Sequence, residues 1–583
     1  MIRIRPLRQV LALALVATVL AACGGGGGGN ASSPSPSITA PPPAPPPAPP
    51  FPDIPATDGD AARFLTQASF GPTPAEIARV RQIGYSRWID EQLSASTTPP
   101  TLMLPHLEQL VANGIPRTAP ALPYLIPQHR RNYWLWTAAT GNDQLRLRMS
   151  FALSQIFVVS DRDTLDANQT LFRISDYQDT LSRGAFGSYR DLLDKVSKHP
   201  AMGYYLSHVN NRKADPTRNI TPDENYGREI MQLFSIGLVE RNLDFSLVPG
   251  QGGQPVPTYD ENVVSAMARA FTGWTYASNA TEAQFGRNDN LSYEPMRCYP
   301  RFHDDQPKQI FRGITVNNGS DCVATMTAVL DALAAHPNVA PFISRQLIQR
   351  FVTSNPSPAY VERVSRVWLG SNGNLGQVIR AVLLDTEARL PPTSAAYGKA
   401  REPLIKIATL WRAFGARYIP PANGQIIFRY ASAGDLSTPL AQESMRAPSV
   451  FNFYDPNNRL AAADGAQGIY APEFQILTEA TYLTAINQHE ALLWNYSGDP
   501  PTANTVAPIL DISRLVTLAT TNDHAGMVQV INTLLFYGTL SDAARQTMIN
   551  MLDRLAAAQE TPAVRARSLV LLALASPEFA VQR

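Results

Sequence analysis

The stretch T-P-D-E-N-Y-G-R-E-I-M-Q-L-F-S-I-G-L, Thr221–Leu238, shows most clearly how this chain folds. Thr221 followed three residues later by Glu224 forms a capping box, which predicts the start of a helix. Gly237 is placed to end that helix. Its apolar side chains recur at the spacing of a single helical face, at Tyr226, Ile230, Leu233 and Phe234. The stretch therefore predicts one amphipathic helix with a face committed to a core.

The other face of this helix is rich in hydrogen-bonding groups. At about 100° per residue, Asn225, Arg228 and Gln232 lie roughly opposite the apolar stripe, and Glu229 lies at its boundary. One interpretation is a solvated surface with a Glu224–Arg228 ion pair, worth a few tenths of a kcal/mol. The other is a polar cluster that neighbouring helices bury. Both remain open at this point.

Helical patterns continue through the rest of the chain. Thr73 and Thr258 begin further capping boxes, and long helices are predicted at residues 144–159, 323–351 and 507–535. Residues 278–321 break the pattern and form an irregular insertion, with a small hairpin predicted around Ile310–Val316. Strand signals are otherwise almost absent, and no repeat of fixed period occurs. We therefore predict an all-α fold, a large multi-helix body with one irregular insertion.

Composition limits the classes of function. The chain has 583 residues, of which 17% are charged and 44% hydrophobic, and its net charge is +1. Such a length predicts more than one packed subregion. The near-neutral charge offers no basic field for nucleic acid, so no nucleic-acid partner is expected. The body contains no run of eighteen apolar residues, so no internal membrane span is expected.

The N-terminus has the pattern of an export signal. Arginines at positions 3, 5 and 8 precede the apolar run Val10–Leu20, which is followed by Ala21, Ala22 and Cys23. The Leu-Ala-Ala-Cys ending resembles a bacterial lipobox. That resemblance implies removal of residues 1–22 and lipidation of Cys23, which would anchor the chain stably in a membrane. The alternative is a plain signal peptide with an incidental cysteine.

Residues 23–55 have the composition of a tether between this anchor and a helical body at residues 56–583. Glycines fill Gly24–Gly29, and prolines dominate residues 34–52. Gly-rich chains are flexible, whereas Pro-rich chains are extended. We therefore expect a body held away from the membrane of the bacterial cell envelope, on the periplasmic side or at the outer-membrane surface.

Two further cysteines lie near the insertion. Cys298 and Cys322 are the only cysteines beyond Cys23. An exported chain permits disulfides, so we predict a Cys298–Cys322 bond, worth roughly 3 kcal/mol by loop-closure entropy. The alternative is two free buried thiols.

No complete catalytic motif is present. The chain lacks a Gly-x-Ser-x-Gly elbow, a phosphate-binding loop and a zinc-protease helix. The best remaining cluster is Phe302–Lys308, in which His303 stands beside Asp304 and Asp305. An imidazole beside carboxylates provides metal ligands or a proton-transfer pair, and Lys308 provides a cation for an anionic group. The alternative is a loop of ordinary turn-forming residues.

An ordered set of motifs extends across the body. In sequence order they are Arg63–Gly71, Pro200–Met202, Asn225–Glu229, Leu233-Phe234, Gly237, Ala270–Trp274, His303-Asp304 with Lys308, Gly313, and Arg401–Pro403. This set resembles the bacterial family named domain of unknown function 1800. The resemblance implies an exported, mostly helical protein with no established reaction. It also implies a companion from another secreted family, of sulfatase-like appearance.

The resemblance extends to particular residues. Those that match the family pattern are Asn225, Arg228, Glu229, Trp274, His303, Asp304 and Lys308. Phe234 stands where many members have histidine, which weakens a metal role for this helix. No metal and no cofactor is assigned.

Two functions compete. We favour a tethered helical factor that binds or assembles a secreted partner or an envelope polymer. The alternative is an envelope enzyme acting on polysaccharide or another extracellular polymer. In that enzyme Glu229, His303 and Asp304 would form the catalytic pocket, and the binding residues would be Asn225, Arg228, Trp274 and Lys308. The enzyme requires the helix and the His303 loop to meet, with Arg228 against Asp304 or Asp305 and Glu229 against His303 or Lys308.

Overall fold

A computed structural model describes residues 51–113, 125–162, 167–289, 292–392, 394–418, 427–428, 440–461, 468–494, 505–506 and 508–583. The chain divides into two units, Met1–Pro47 and Ala48–Arg583, and all described residues lie in the second. The predicted signal peptide, the lipidation site Cys23 and nearly all of the tether fall outside the described residues.

Helices dominate the described part of the chain, in agreement with the predicted all-α class. They are α1 (Asp58–Ala68), α2 (Pro74–Leu93), α3 (Leu104–Ala112), α4 (Leu125–Thr140), α5 (Gln144–Ser154), α6 (Ala167–Gly184), α7 (Tyr189–Lys198), α8 (Pro200–Tyr205), α9 (Asn225–Gln232), α10 (Glu261–Ala270), α11 (Cys322–Ala334), α12 (Val339–Phe351), α13 (Pro358–Gly370), α14 (Leu375–Leu384), α15 (Thr386–Arg389), α16 (Pro403–Ala413), α17 (Glu479–Trp494), α18 (Ser513–Thr520), α19 (His524–Phe536), α20 (Asp542–Ala557), α21 (Pro562–Leu574) and α22 (Pro577–Ala580). None of the helices within the described residues is long and apolar enough to cross a membrane.

The described strands are two residues long and occur in pairs. Three pairs are antiparallel: β1 (Trp274–Thr275) with β2 (Arg297–Cys298), β3 (Lys308–Gln309) with β4 (Thr315–Val316), and β5 (Lys399–Ala400) with β8 (Val581–Gln582). The fourth, β6 (Ile427–Phe428) with β7 (Thr505–Val506), is parallel. The β3–β4 pair is the small hairpin expected in the insertion.

Several predicted helix boundaries are wrong. Helix α9 begins at Asn225, and Thr221 does not cap it, because the N-cap is Glu224 and makes no side-chain hydrogen bond there. Helix α10 is capped by Asp260, whose carboxylate accepts from Val263 N, and not by Thr258. The Thr258 hydroxyl instead donates to Gly237 O. A Thr followed three residues later by Glu thus marks a region where a helix starts without fixing its first residue.

Three long predicted helices are shorter or divided. The first, residues 144–159, ends at Ser154. The second, 323–351, is divided between α11 and α12 at a turn where His336 Nδ1 accepts from Asn338 N. The third, 507–535, is divided between α18 and α19 by the turn at Asn522.

Helix α9 lies against α10 at a close crossing. Tyr226, Ile230 and Phe234 are fully buried, as the apolar stripe predicts. A Cβ at Gly227 would lie 3.0 Å from Ala268 N and 3.1 Å from Met267 C, so only glycine allows the two backbones to approach this far. The crossing fixes α9 between the core and the loops that follow it.

The disulfide predicted for the insertion is present. Cys298 on β2 is bonded to Cys322, the first residue of α11. The bond closes the irregular segment against the helices on both sides of it.

Candidate functional site

His303 is fully buried and both of its ring nitrogens are engaged. Nδ1 donates to Thr272 O at 2.9 Å, and Nε2 accepts from Thr325 Oγ1 at 3.1 Å. Burial lowers the pKa of His303, so the ring is neutral. The imidazole therefore links the insertion to the end of α10 and to α11, and neither nitrogen is open to a ligand.

Asp304 and Lys308 form a buried ion pair, and Asp304 also pairs with an arginine of α10. Asp304 Oδ1 lies 3.2 Å from Arg269 Nη1 and 3.4 Å from Lys308 Nζ. Lys308 Nζ also donates to the carbonyl oxygens of Asp304 at 2.6 Å and Gln306 at 2.8 Å. Burial lowers the pKa of Lys308. The polar groups of this loop thus satisfy one another and fix the loop on α10.

Arg228 does not meet this loop. Its guanidinium lies 3.3 Å from Glu224 and 3.0 Å from Glu261, at the first residue of α10. Asp304 pairs with Arg269, eight residues further along α10, which is about 12 Å at 1.5 Å per residue. The predicted contact of Arg228 with Asp304 or Asp305 is therefore wrong, because opposite ends of α10 separate the two groups.

Glu229 is buried apart from His303 and Lys308. Burial raises the pKa of its carboxyl, Arg228 is the charged neighbour that opposes the rise, and Oε2 has no hydrogen-bond partner in the described part of the chain. Asn225 is exposed, and Trp274 is buried in β1 with Nε1 unpartnered among the described residues. Among the described contacts, none joins Glu229 to His303 or Asp304, so the predicted pocket gains no support from them. Nor do the described residues contain a group of three or more His, Cys, Asp or Glu side chains suited to a metal.

A cavity of about 460 Å³ lies at the C-terminal end of α9. Its walls come from the end of α9 and the segment after it, from α12, and from the loop at residues 450–457. Much of the wall is apolar, formed by Leu238, Phe245, Phe342, Val450 and Phe451. Its volume falls within the range of small-molecule sites.

Arg345 is the most constrained charged group in this cavity. Its guanidinium carbon lies 4.5 Å from the ring centroids of both Phe245 and Tyr470. Nη1 donates to Asn457 Oδ1 at 3.0 Å, whereas Nη2 is buried with no hydrogen-bond partner among the described residues. Burial, together with the positive charge of Arg241, lowers the pKa of Arg345. A cation is thus held rigidly with one donor uncommitted.

Positive charge exceeds negative charge around the cavity. Arg241, Arg345 and Arg350 line it, and Asp455 is the one carboxylate among its described lining residues. Arg350 donates from Nη1 and Nη2 to the side chain and backbone of Gln155, which leaves Nε unpartnered among the described residues. An anion that enters would therefore meet uncompensated positive charge.

The floor of the cavity is fixed by a buried ionic network. Gln155 Nε2 donates to Glu402 at 2.5 Å, and Glu402 also accepts from Gln442. Lys399 Nζ lies 3.5 Å from Glu402 and 3.1 Å from Glu473. Lys399 is thus a cation that contacts both acids of the network, and the amides of Gln155 and Gln442 donate to Glu402 as well.

Two residues that line this cavity have a left-handed backbone conformation. Phe245 and Asn452, neither of them glycine, have φ of +71° and +67°. Asn452 is buried, and neither side-chain atom Oδ1 nor Nδ2 has a partner in the described part of the chain. Non-glycine residues at positive φ cost of order 1–3 kcal/mol each and cluster at ligand sites. Geometry, charge and strain therefore indicate the same cavity.

A comparison with family models agrees with the ordered motifs. The model described as "Protein of unknown function (DUF1800)" matches residues 63–581. The chain belongs to the DUF1800 family. No curated protein and no solved structure matches it.

The sequence contains partial signals for the cavity of this DUF1800 protein. Gln232 and Gly237, both in the stretch quoted first, line it. Arg345-Gln346 and Gln349-Arg350 interrupt an otherwise apolar helix and are all buried. Buried arginines on an apolar helix are unusual and indicate a partner or a site. The helical period over residues 323–351 was predicted, but the buried arginines within it were not singled out.

Proposed function

We propose that this DUF1800 protein is a lipid-anchored binding protein of the bacterial cell envelope that holds an anionic group in the Arg345 cavity. The observation that carries the proposal is the buried Nη2 of Arg345, which lacks a hydrogen-bond partner in the described residues. A buried donor without an acceptor costs about 1–3 kcal/mol, and more when it is charged. An anion that accepts from Nη2 would recover that cost.

The arrangement of Arg345 supports a binding role. The rings of Phe245 and Tyr470, each 4.5 Å from the guanidinium, and the hydrogen bond to Asn457 hold the side chain before any ligand arrives, so little side-chain entropy is lost on binding. Charge-assisted hydrogen bonds to arginine are among the stronger polar contacts in proteins.

The anchor and the tether support the proposed location. The lipobox-like Leu20–Cys23 and the Gly- and Pro-rich residues 23–55 would hold the cavity away from the membrane. The anion would then belong to a secreted partner, such as the sulfatase-like companion that the family suggests, or to an envelope polymer. The enzyme alternative loses its support, because no described contact joins Glu229 to His303.

A ligand pair that differs in charge alone tests the proposal. The full-length protein in lipid nanodiscs is heated with hexanoate or with hexan-1-ol. We expect hexanoate to raise the melting temperature in proportion to the logarithm of its concentration, as a ligand that binds the native state does. We expect hexan-1-ol to have no such effect, and equal shifts with both would contradict the proposal.

Two variants assign any shift to the cavity. Arg345→Gln should abolish the hexanoate shift, whereas Arg228→Gln, which removes an exposed arginine elsewhere, should retain it. Arg345→Lys keeps the charge and should retain part of the shift if Arg345→Gln does not fold. A full hexanoate shift in a folded Arg345→Gln protein would overturn the proposal.

A further inference from the structure

We infer that the anionic group is the terminal carboxylate of a polypeptide whose last residue is apolar. The inference rests on the proposed anion site and adds the chemical class of its ligand. It is carried by three features of the cavity: apolar walls, uncommitted side-chain amides, and exposed apolar residues at its border.

The walls suit an apolar side chain better than a sugar. Phe245 and Phe342 lie beside Arg345, and Val450 adds an aliphatic surface. A sugar hydroxyl buried against such groups loses its hydrogen bonds to water without replacement. A leucine- or phenylalanine-sized side chain instead gains free energy from the same burial, because its apolar surface leaves water.

Uncommitted amides line the same cavity. Gln232, Gln346 and Asn452 make no side-chain hydrogen bond within the described residues. Each offers one carbonyl acceptor and one NH₂ donor. A peptide group presents one N–H and one C=O, which these side chains can pair. Asn452 alone brings two buried polar atoms that have no partner in the described part of the chain.

Apolar residues of the lining also reach solvent. Leu238 is 56% exposed and Phe451 is 55% exposed, and both line the cavity. Large apolar side chains exposed at the border of a pocket are typical of interaction sites. They offer contacts to residues that precede the chain end, which a small free acid does not have.

The charge favours one carboxylate. Arg345 Nη2 is buried without a hydrogen-bond partner among the described residues, and Asp455 already stands among the lining residues. A planar carboxylate matches the geometry of the guanidinium donors. A polypeptide end supplies such a group together with an adjacent apolar side chain and peptide bonds.

A peptide and its amide distinguish this ligand from other anions. Calorimetric titration of the full-length protein in nanodiscs compares acetyl-Ala-Ala-Leu with a free carboxylate, acetyl-Ala-Ala-Leu-amide and hexanoate. We expect the free acid to bind at least about tenfold more tightly than the amide, since one charge-assisted hydrogen bond exceeds 1.4 kcal/mol. We expect it also to bind more tightly than hexanoate.

Variants test the two halves of the ligand separately. Arg345→Gln should remove the preference for the free acid over the amide. Gln346→Ala should lower the affinity for the peptide and leave the affinity for hexanoate unchanged. Arg228→Gln should match the unaltered protein.

Three outcomes would overturn the inference. If hexanoate or oligogalacturonate binds more tightly than the peptide acid, the ligand belongs to another class of anion, and the proposed anion site still stands. Equal affinity for the peptide acid and its amide would show that the cavity does not recognise the terminal carboxylate. Binding of none of the anions would overturn the proposed function as well.

Discussion

Asp304 and Arg228 are charged side chains in opposite surroundings. The Asp304 carboxylate is mostly buried and contacts two cations, one of which, Lys308, is itself buried. Arg228 lies at the surface between two exposed glutamates. Removal of the Asp304 carboxylate leaves a buried cation without its partner. Removal of the Arg228 guanidinium leaves two glutamates that water can solvate.

Asp304→Ala should therefore destabilise the fold by roughly 3–5 kcal/mol, as the loss of one member of a buried pair does. Arg228→Ala should cost under about 1 kcal/mol, because exposed ion pairs contribute little. Urea denaturation of the two variants measures the difference. Since their partners Glu261 and Arg269 lie about 12 Å apart along α10, the double variant should show additive losses. A strong coupling between the two substitutions would contradict the separation described above.

Sequence reasoning succeeded where causes are local and failed where they are not. The spacing of Tyr226, Ile230 and Phe234 is a property of one helix and could be predicted. For Arg228 the helical spacing predicted the local pair with Glu224, which is confirmed, whereas the long-range contact with Asp304 or Asp305 was wrong and the contact with Glu261 was not foreseen. Burial of His303 depended on Thr272 and Thr325, which lie on segments that the sequence did not place together.

The crossing of α9 and α10 is the element-scale feature on which the site depends. Helix α9 places Gln232 at the cavity, and α10 fixes the position of α9 through the contact at Gly227. The backbones have no room there for a methyl group.

Gly227→Ala should destabilise the protein by roughly 1–3 kcal/mol, the usual cost of overpacking. Gly370→Ala is the matched control, because Gly370 ends α13 with no atom within 4 Å of an added Cβ. It should be neutral or slightly stabilising, since alanine favours helices. Thermal unfolding of both variants checks the pair, and an equal effect of the two substitutions would contradict the role assigned to the crossing.

The disulfide is the other element-scale constraint. It joins β2 to α11 across a separation of 24 residues. Cys298→Ala together with Cys322→Ala should lower stability by roughly 3 kcal/mol. Reduction of the unaltered protein should lower its urea midpoint to that of the double variant. A midpoint insensitive to reductant would contradict the role assigned to the bond.

For the whole molecule, buried histidines set the response to acid. Seven of the eight histidines have a pKa that burial lowers below its usual value of 6.5: His106, His129, His199, His208, His303, His336 and His489. Below pH 6.5 the unfolded chain takes up protons that the folded chain refuses. Burial raises the pKa of Asp179 to about 7 and also raises those of Glu229 and Glu473, and these three acids oppose the trend of the seven histidines.

Stability should therefore fall as the pH drops from 6.5 toward 4. Each histidine contributes at most about 1.4 kcal/mol per pH unit. Urea midpoints measured at several pH values test this, and a midpoint that rises toward pH 5 would contradict it. His303→Asn removes one of these groups and should make the slope shallower.

The proposed anchor also belongs to the whole molecule. Cys23→Ser should move the protein from the membrane fraction to the soluble fraction of the cell envelope, because lipidation requires the thiol. Ser33→Ala, a substitution in the tether, should leave the distribution unchanged. Fractionation followed by immunoblotting distinguishes the two variants. Membrane retention of the Cys23→Ser protein would contradict the proposed lipid anchor.

At this scale the sequence predicted the class of fold but not the cavity. The helical period is repeated in each segment, so the all-α class could be read directly. The cavity combines Gln155, residues 232–245, residues 342–350 and the loop at 450–457, and their meeting depends on the packing of the whole body. Nothing in the sequence next to Arg345 or Asn452 indicates that the two side chains line the same cavity.

The position of a bound anion tests the central claim most directly. A crystal structure of the protein with acetyl-Ala-Ala-Leu should show its carboxylate within hydrogen-bond distance of Arg345 Nη2, at about 2.7–2.9 Å. The leucine side chain should contact Phe245 or Phe342. A carboxylate bound elsewhere, at an exposed arginine such as Arg228 or at the surface of the insertion, with the Arg345 cavity filled by water alone, would contradict the account.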